Sequence, residues 1–464
     1  MQIFPSILYK STDYAERGFT MGKKFIRYFL IFIVLVLTGS AVWLYTYYYE
    51  SETPFVKLSK DIGTIGRTTN FNIILGDQKS GLRNITVAIS QEGKKRILHS
   101  QDFTTRGTHE ETVAITLNTQ KLNLRDGTAT VDIAAVDFSL RKNRKNVAIT
   151  VTIDSTPPQI YPVSSSHYIN QGGSCISIYS LSEKSARNGI LVNDDLFPSY
   201  PITIDEKLCY VSYFTIPLDI KDKKDLKLGI FAEDVAGNRA FSTIPFHIRK
   251  KNFRADKMYI SRDFLKRKMP EFQQIYDTLQ GKSLIETFSY VNKTIREDNL
   301  RNIQSICKNT QPRQLWDGAF LRMKNAKTMA SFGDKRVYYY EGKEVSRSVH
   351  LGIDLASTRN APIEASNSGI VAFTGYLGIY GNSIIIDHGL GLFSLYAHLG
   401  AIDVKEDDAV SKGQRVGRTD TSGLAGGDHL HFSIIVSGRF VDPKEWWDPH
   451  WIKDNVSRKM ALTF

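Results

Sequence analysis

The chain has 464 residues, and its 60 Lys and Arg outnumber 48 Asp and Glu, for a formal net charge of +12. At roughly 100 to 200 residues per domain, this length excludes a single core and predicts three or four domains. The composition, 42% hydrophobic and 23% charged, is that of globular protein, and the basic residues form no stripe interleaved with aromatics, which argues against nucleic acid as a partner.

The first element in the chain is apolar. Tyr28 to Leu44 reads YFLIFIVLVLTGSAVWL without a charge, and Phe25, Ile26 and Tyr45 extend it. About 20 such residues cross a hydrocarbon core as a helix. Lys23, Lys24 and Arg27 precede the run, and Tyr45, Tyr47, Tyr48 and Tyr49 follow it. Positive charge before the span predicts a cytoplasmic tail over 1–24 and a transmembrane anchor over 25–46, with tyrosines at the far interface. A signal peptide cut near Gly39-Ser40-Ala41 is the rival, but the run is long for a signal core. Met21-Gly22-Lys23-Lys24 reads as an ordinary start, which makes 1–20 either a short tail or sequence upstream of the true start. The remainder is expected outside the cytoplasm. There Cys175 and Cys209, which fall in one expected β module, have the option of pairing, while Cys307 has no evident partner.

From 51 to 250 the sequence is strand-like. NITVAIS, ETVAITLN, TATVDIAAVD and NVAITVTID are short, β-branched and partly alternating. Asp154-Ser155-Thr156-Pro157-Pro158 breaks the pattern, and SCISIYS, KLCYVSYFTIPL, LKLGIFAED and FSTIPFHI follow. Ala135-Val136-Asp137 and Ala232-Glu233-Asp234 each end a strand and lie 97 residues apart. That is the size of an immunoglobulin-like sandwich, and FAEDVAGNRA resembles the last hairpin of bacterial immunoglobulin-like repeats. Two modules are therefore expected, 51–157 and 158–250, as spacers or binding surfaces.

Over 251–310 the period becomes helical. Phe264, Leu265, Met269, Phe272, Ile275, Tyr276 and Leu279 recur at three- and four-residue steps, and so do Leu284, Phe288, Val291 and Ile295. Ser261 is a plausible helix start and Gln280-Gly281 a plausible end, giving a helical hairpin. From 311 to 464 short strands return between glycine turns, as in SGIVAFTGY, GNSIIIDHG, GLFSLYAHL and HLHFSIIVSG, and predict a compact antiparallel β domain. The fold class expected is thus mostly β and multidomain.

Five of the ten histidines, His350, His388, His398, His429 and His431, cluster between residues 350 and 431 of that last domain. On a strand, His429 and His431 share a face, while Leu430 and Phe432 point the other way. Two adjacent imidazoles each need polar partners, so they suit either a metal with a base beside it or a pair of satisfied core histidines. HLGID adds His350 and Asp354. A carboxylate and two histidines make a three-ligand set of the kind catalytic zinc uses. In LYAHL, Tyr396 and His398 share a face if the segment is a strand.

HLGID, LYAHL and HLHF in that order, with Ala361-Pro362-Ile363-Glu364-Ala365, Gly369-Ile370-Val371, Tyr380-Gly381-Asn382, Asp387-His388-Gly389, Val410-Ser411-Lys412-Gly413-Gln414 and Val441-Asp442-Pro443, resemble the M23 family of zinc metallopeptidases over roughly 330–445. The resemblance implies His350, Asp354 and His431 as Zn2+ ligands, His429 as general base and His398 as a second catalytic histidine that orients water or stabilises an oxyanion. It leaves His388 as structural. It implies hydrolysis of peptide cross-links in bacterial peptidoglycan, and the span expected at 25–46 would hold such an enzyme in the inner membrane, acting in the periplasm or cell-wall space. The alternative from another class is a catalytically silent M23-like regulator that activates a separate amidase; the complete residue set weighs against it. The loop before HLH departs from the family's pattern at Asp420 and Asp428, which leaves the substrate rim open.

Overall fold

The computed structural model describes residues 13–164, 167–220 and 222–461. Residues 1–12 of the expected tail lie outside them. The chain divides into two compact units, Met1–Thr156 with Ala236–Asn238, and Pro157–Val235 with Arg239–Phe464.

The first unit opens with the helix Asp13–Tyr48, of which Phe25–Tyr48 has a mean hydropathy of 2.2 and is long and apolar enough to cross a membrane. Its large side chains face outward, where a lipid phase would bury them. A three-stranded and a five-stranded sheet follow and pack face to face. Thr68–Gly76 and Glu110–Asn118 pair antiparallel in the first, and alternate residues such as Phe71, Ile73, Leu75, Val113 and Ile115 point inward. Ile85, Val87, Val131 and Ile133 of the second sheet meet them. Period-two alternation with one solvated face is what an antiparallel sandwich requires.

In the second unit, two four-stranded sheets and a parallel pair, His167–Asn170 with Phe246–Arg249, form another β module. Cys175 and Cys209 lie on neighbouring strands but are unpaired, because the register puts Phe214 opposite Cys175 and Ile202 opposite Cys209.

This module shares one apolar core with the C-terminal domain. Trp446 is fully buried, meets Tyr213 at a tilt and Trp316 edge-on at 5.8 and 5.5 Å between ring centroids, and donates its indole N–H to Ser174 Oγ at 3.1 Å. Beside it Glu445 accepts from Asn170 Nδ2 at 2.7 Å and from the Ser174 amide at 2.8 Å.

The C-terminal domain is built on an eight-stranded sheet. Its order is Lys327–Ala330, Ile353–Ala356, Leu430–Val436, Leu392–Ala397, Asn382–Asp387, Gly369–Tyr376 and Ala409–Val410, with Arg439–Val441 beside Leu430–Val436. Both faces are covered, which explains the continuous apolar runs in its central strands. Ile385, Phe393, Leu395 and Ile435 face the helices, whereas Ile384, Ile386, Tyr396 and Ile434 face the core shared with the β module.

The segment expected as a purely helical linker begins with a strand. Ala255–Tyr259 runs parallel to Lys335–Tyr340, which pairs antiparallel with Lys343–Val349. Ser261 then caps the helix Arg262–Ile275 by accepting from the Phe264 amide at 3.1 Å. This helix ends at Ile275, short of Gln280-Gly281; a 3-10 turn, Asp277–Leu279, buries Leu279 and leads to Gly281 at φ +76. Ser283 and Glu286 form a capping box before Leu284–Tyr290, and a π turn, Val291–Ile295, joins it to Arg296–Ile306. Leu265, Met269, Phe272, Phe288 and Ile295 lay this layer on the sheet.

Candidate active site

His431 lies in the strand Leu430–Val436, directly opposite Asp354 in Ile353–Ala356. Leu430 and Phe432 are buried on the reverse face, and His429 emerges with His431. His350 lies between the strands Lys343–Val349 and Ile353–Ala356, so HLGID is no helix. Gly352 permits this approach: a Cβ there would lie 2.5 Å from His431 Nε2 and from Ser433 Oγ.

His350 Nε2, Asp354 Oδ1 and His431 Nδ1 form a triangle with edges of 2.9, 2.9 and 3.0 Å. Each imidazole is held at its other nitrogen, His350 Nδ1 by the Ser331 carbonyl at 2.9 Å and His431 Nε2 by Ser433 Oγ at 3.1 Å. These outer partners fix ring orientation and leave the inward nitrogens free for a metal. The second carboxylate oxygen of Asp354 accepts from Arg336 Nη2 at 3.3 Å.

The other two histidines stand at the edge of this triangle. His429 Nδ1 donates to the Gly427 carbonyl at 2.8 Å, and its Nε2 lies 3.5 Å from Asp354 Oδ1. His398 Nδ1 donates to the Ser422 carbonyl at 2.9 Å, and its ring lies 4.8 Å from that of His429. The expectation that Tyr396 and His398 share a face fails. The strand stops at Ala397, and His398 takes φ +64, a left-handed conformation uncommon outside glycine. This turns His398 to the cleft while Tyr396 stays in the core, its hydroxyl 2.7 Å from Ser366 Oγ.

Burial favours a neutral carboxyl at Asp354, but the charge and hydrogen bonds of His350, with those of His429 and His431, hold it well below the usual carboxylate range. Burial pushes His431 down to about 4 and, with the nearby His429, lowers His398 well below the ordinary imidazole value. Burial also opposes charge on His429, yet its bond to Asp354 leaves it raised.

All five residues line one open cleft of about 670 Å3. Its wall also includes Met258, Tyr259, Phe264, Arg296 and Arg336, none of which the motifs pointed to. Asp428 lies on the rim, its carboxylate accepting from the Asn360 amide at 2.8 Å. His388 lies elsewhere, fully buried, bonded to the Ser368 carbonyl and Ser394 Oγ at 2.8 Å each.

Residues 348–443 match peptidase family M23. Lipoprotein NlpD of Yersinia enterocolitica is 39% identical over 94 residues, which are 19% of this chain and 93% of that relative. The chain belongs to peptidase family M23. DD-carboxypeptidase/endopeptidase Mpg of Neisseria meningitidis serogroup B is 38% identical over 95 residues, and peptidoglycan DD-endopeptidase ShyA of Vibrio cholerae serotype O1 is 39% identical over 93. In each case the match spans 20% of this chain and 22% of the relative. The M23 match thus includes the five cleft residues and ends before the buried Glu445 and Trp446.

Proposed function

We propose that the chain is a zinc-dependent endopeptidase that hydrolyses peptide cross-links of bacterial peptidoglycan. The observation that carries this reading is the triangle of His350, Asp354 and His431, whose inward atoms converge while their outward atoms are held. Two imidazole nitrogens and one carboxylate oxygen fit zinc, and the set leaves room for a further ligand from the cleft. The chemistry such an ion supplies is Lewis acidity toward a carbonyl and a water made easier to deprotonate.

The chain's own residues do the rest. With Nδ1 committed to Gly427, His429 offers the lone pair of Nε2 to the cleft and takes a proton from water, then returns it to the leaving amine. With Nδ1 committed to Ser422, His398 presents Nε2 as an acceptor that orients that water. Arg336 occupies the second oxygen of Asp354 and so directs Oδ1 inward. The helix Phe25–Tyr48 serves as a single-pass anchor, with the catalytic domain in the periplasm or cell-wall space.

The test is digestion of purified peptidoglycan by the full chain in detergent, with products identified by mass spectrometry. Zinc-loaded protein should release cleaved cross-links, and a chelator should abolish this. Intact cross-links with zinc-loaded protein would sink the enzyme reading and favour the silent regulator.

A further inference from the structure

We propose that Glu50, Asp77 and Asp137 form a calcium site where the N-terminal helix joins the first β-sandwich. Glu50 follows the helix by two residues, Asp77 follows the strand Thr68–Gly76, and Asp137 ends the strand Gly127–Asp137. Each offers a carboxylate oxygen within 4.8 Å of the others, and their exposures are only 4%, 2% and 0%.

Neutral groups hold these carboxylates in place. Asp77 Oδ1 accepts from the Gly81 amide at 2.8 Å and from Ser80 Oγ at 3.2 Å. Asp137 accepts from Ser139 Oγ and from Asn143 Nδ2, each at 2.8 Å, and Asn143 also donates to the Glu50 carbonyl at 2.9 Å. Among the described residues no cationic side chain forms an ion pair with any of the three; the nearby Lys79 pairs with Glu52. Three carboxyl groups therefore share a buried space without an ion-pair partner among the described residues.

The independent observation is at Glu50 Oε1. It is buried and has no hydrogen-bond partner, while Oε2 accepts from the Ser80 amide at 3.2 Å. A buried carboxylate oxygen without a partner is costly unless a cation or proton satisfies it. The donors are all oxygen, which selects a hard cation over zinc. Calcium accepts six to eight oxygens in irregular geometry, whereas magnesium demands a near-ideal octahedron. Calcium bound here would tie the chain leaving the helix to two strands of the sandwich.

The test is equilibrium dialysis of the zinc-loaded full chain, in detergent, against radiolabelled calcium. Wild type should bind one calcium more than Glu50→Gln, or bind it more tightly by at least the roughly tenfold that even outer-shell changes cost at metal sites. Calcium should also raise the melting midpoint of wild type and not that of Glu50→Gln. Equal calcium binding by wild type and Glu50→Gln, or none by wild type, would overturn the proposal. Competition by magnesium as strong as by unlabelled calcium would overturn the assignment to calcium. Asp77→Asn should reproduce the loss, and if it fails to fold the Glu50→Gln comparison still decides.

Discussion

Asp354 and His431 face each other across adjacent antiparallel strands, with Oδ1 2.9 Å from Nδ1. The two ligands of the proposed zinc site are therefore placed by the register of the central sheet, and only His350 depends on a connecting segment.

That dependence makes Gly352 critical. In Gly352→Ala the new methyl would meet His431 Nε2 and Ser433 Oγ at 2.5 Å and the Phe432 carbonyl at 2.6 Å. The imidazole must shift and lose its outer partner. Zinc affinity should fall by roughly 10- to 100-fold, the usual cost of disturbing an outer partner, with the circular dichroism spectrum unchanged. Competition with a chromogenic chelator measures it.

His429 and His431 should separate cleanly. His431→Ala removes one corner of the triangle and should lose both zinc and hydrolysis. His429→Ala should keep zinc and lose roughly 100- to 10,000-fold in turnover, the contribution of a positioned base. Metal content beside peptidoglycan turnover checks both; retention of full activity in His429→Ala would remove the base assignment.

Arg336→Met deprives Asp354 Oδ2 of its only charged donor among the described residues. The uncompensated carboxylate should destabilise the metal-free protein more than the zinc-loaded one, because a bound cation supplies part of the missing charge. Melting midpoints of wild type and variant, with and without chelator, read the difference. Arg336→Lys should restore only part of it, since an ammonium lacks the planar fork.

Glu445 predicts a pH dependence of stability. Burial pushes its carboxyl from 4.5 up to about 6, despite the bond from Asn170. The unfolded carboxyl ionises first as pH rises, so stability is fully present below about 4.5, declines between 4.5 and 6, and stays lower above. The loss is on the order of 2 kcal/mol. Glu445→Gln should flatten that segment of the stability profile relative to wild type.

Much of this was legible in residue patterns because the signals are local. Period two marked the sandwich strands, Ser261 marked its helix cap, and the spacing of His429 and His431 put both on one face. What escaped depends on distant partners. Ala255–Tyr259 is a strand because Lys335–Tyr340 lies alongside it, some eighty residues later. Its residues Met258 and Tyr259, with Phe264 beyond them, reach the cleft through that pairing. His398 was legible as a site residue, but its left-handed backbone was not, since the apolar run LYA gave no sign of where the strand ends. Arg336 carries no motif and gains its place only when two strands bring it to Asp354.

The common core around Trp446 bears on how the chain can be divided. A piece cut at residue 311 would strip Tyr213 and Ser174 from that indole and leave Glu445 without Asn170. The smallest portable fragment that carries the cleft should therefore start near residue 157, with the second β module travelling along as a built-in buttress.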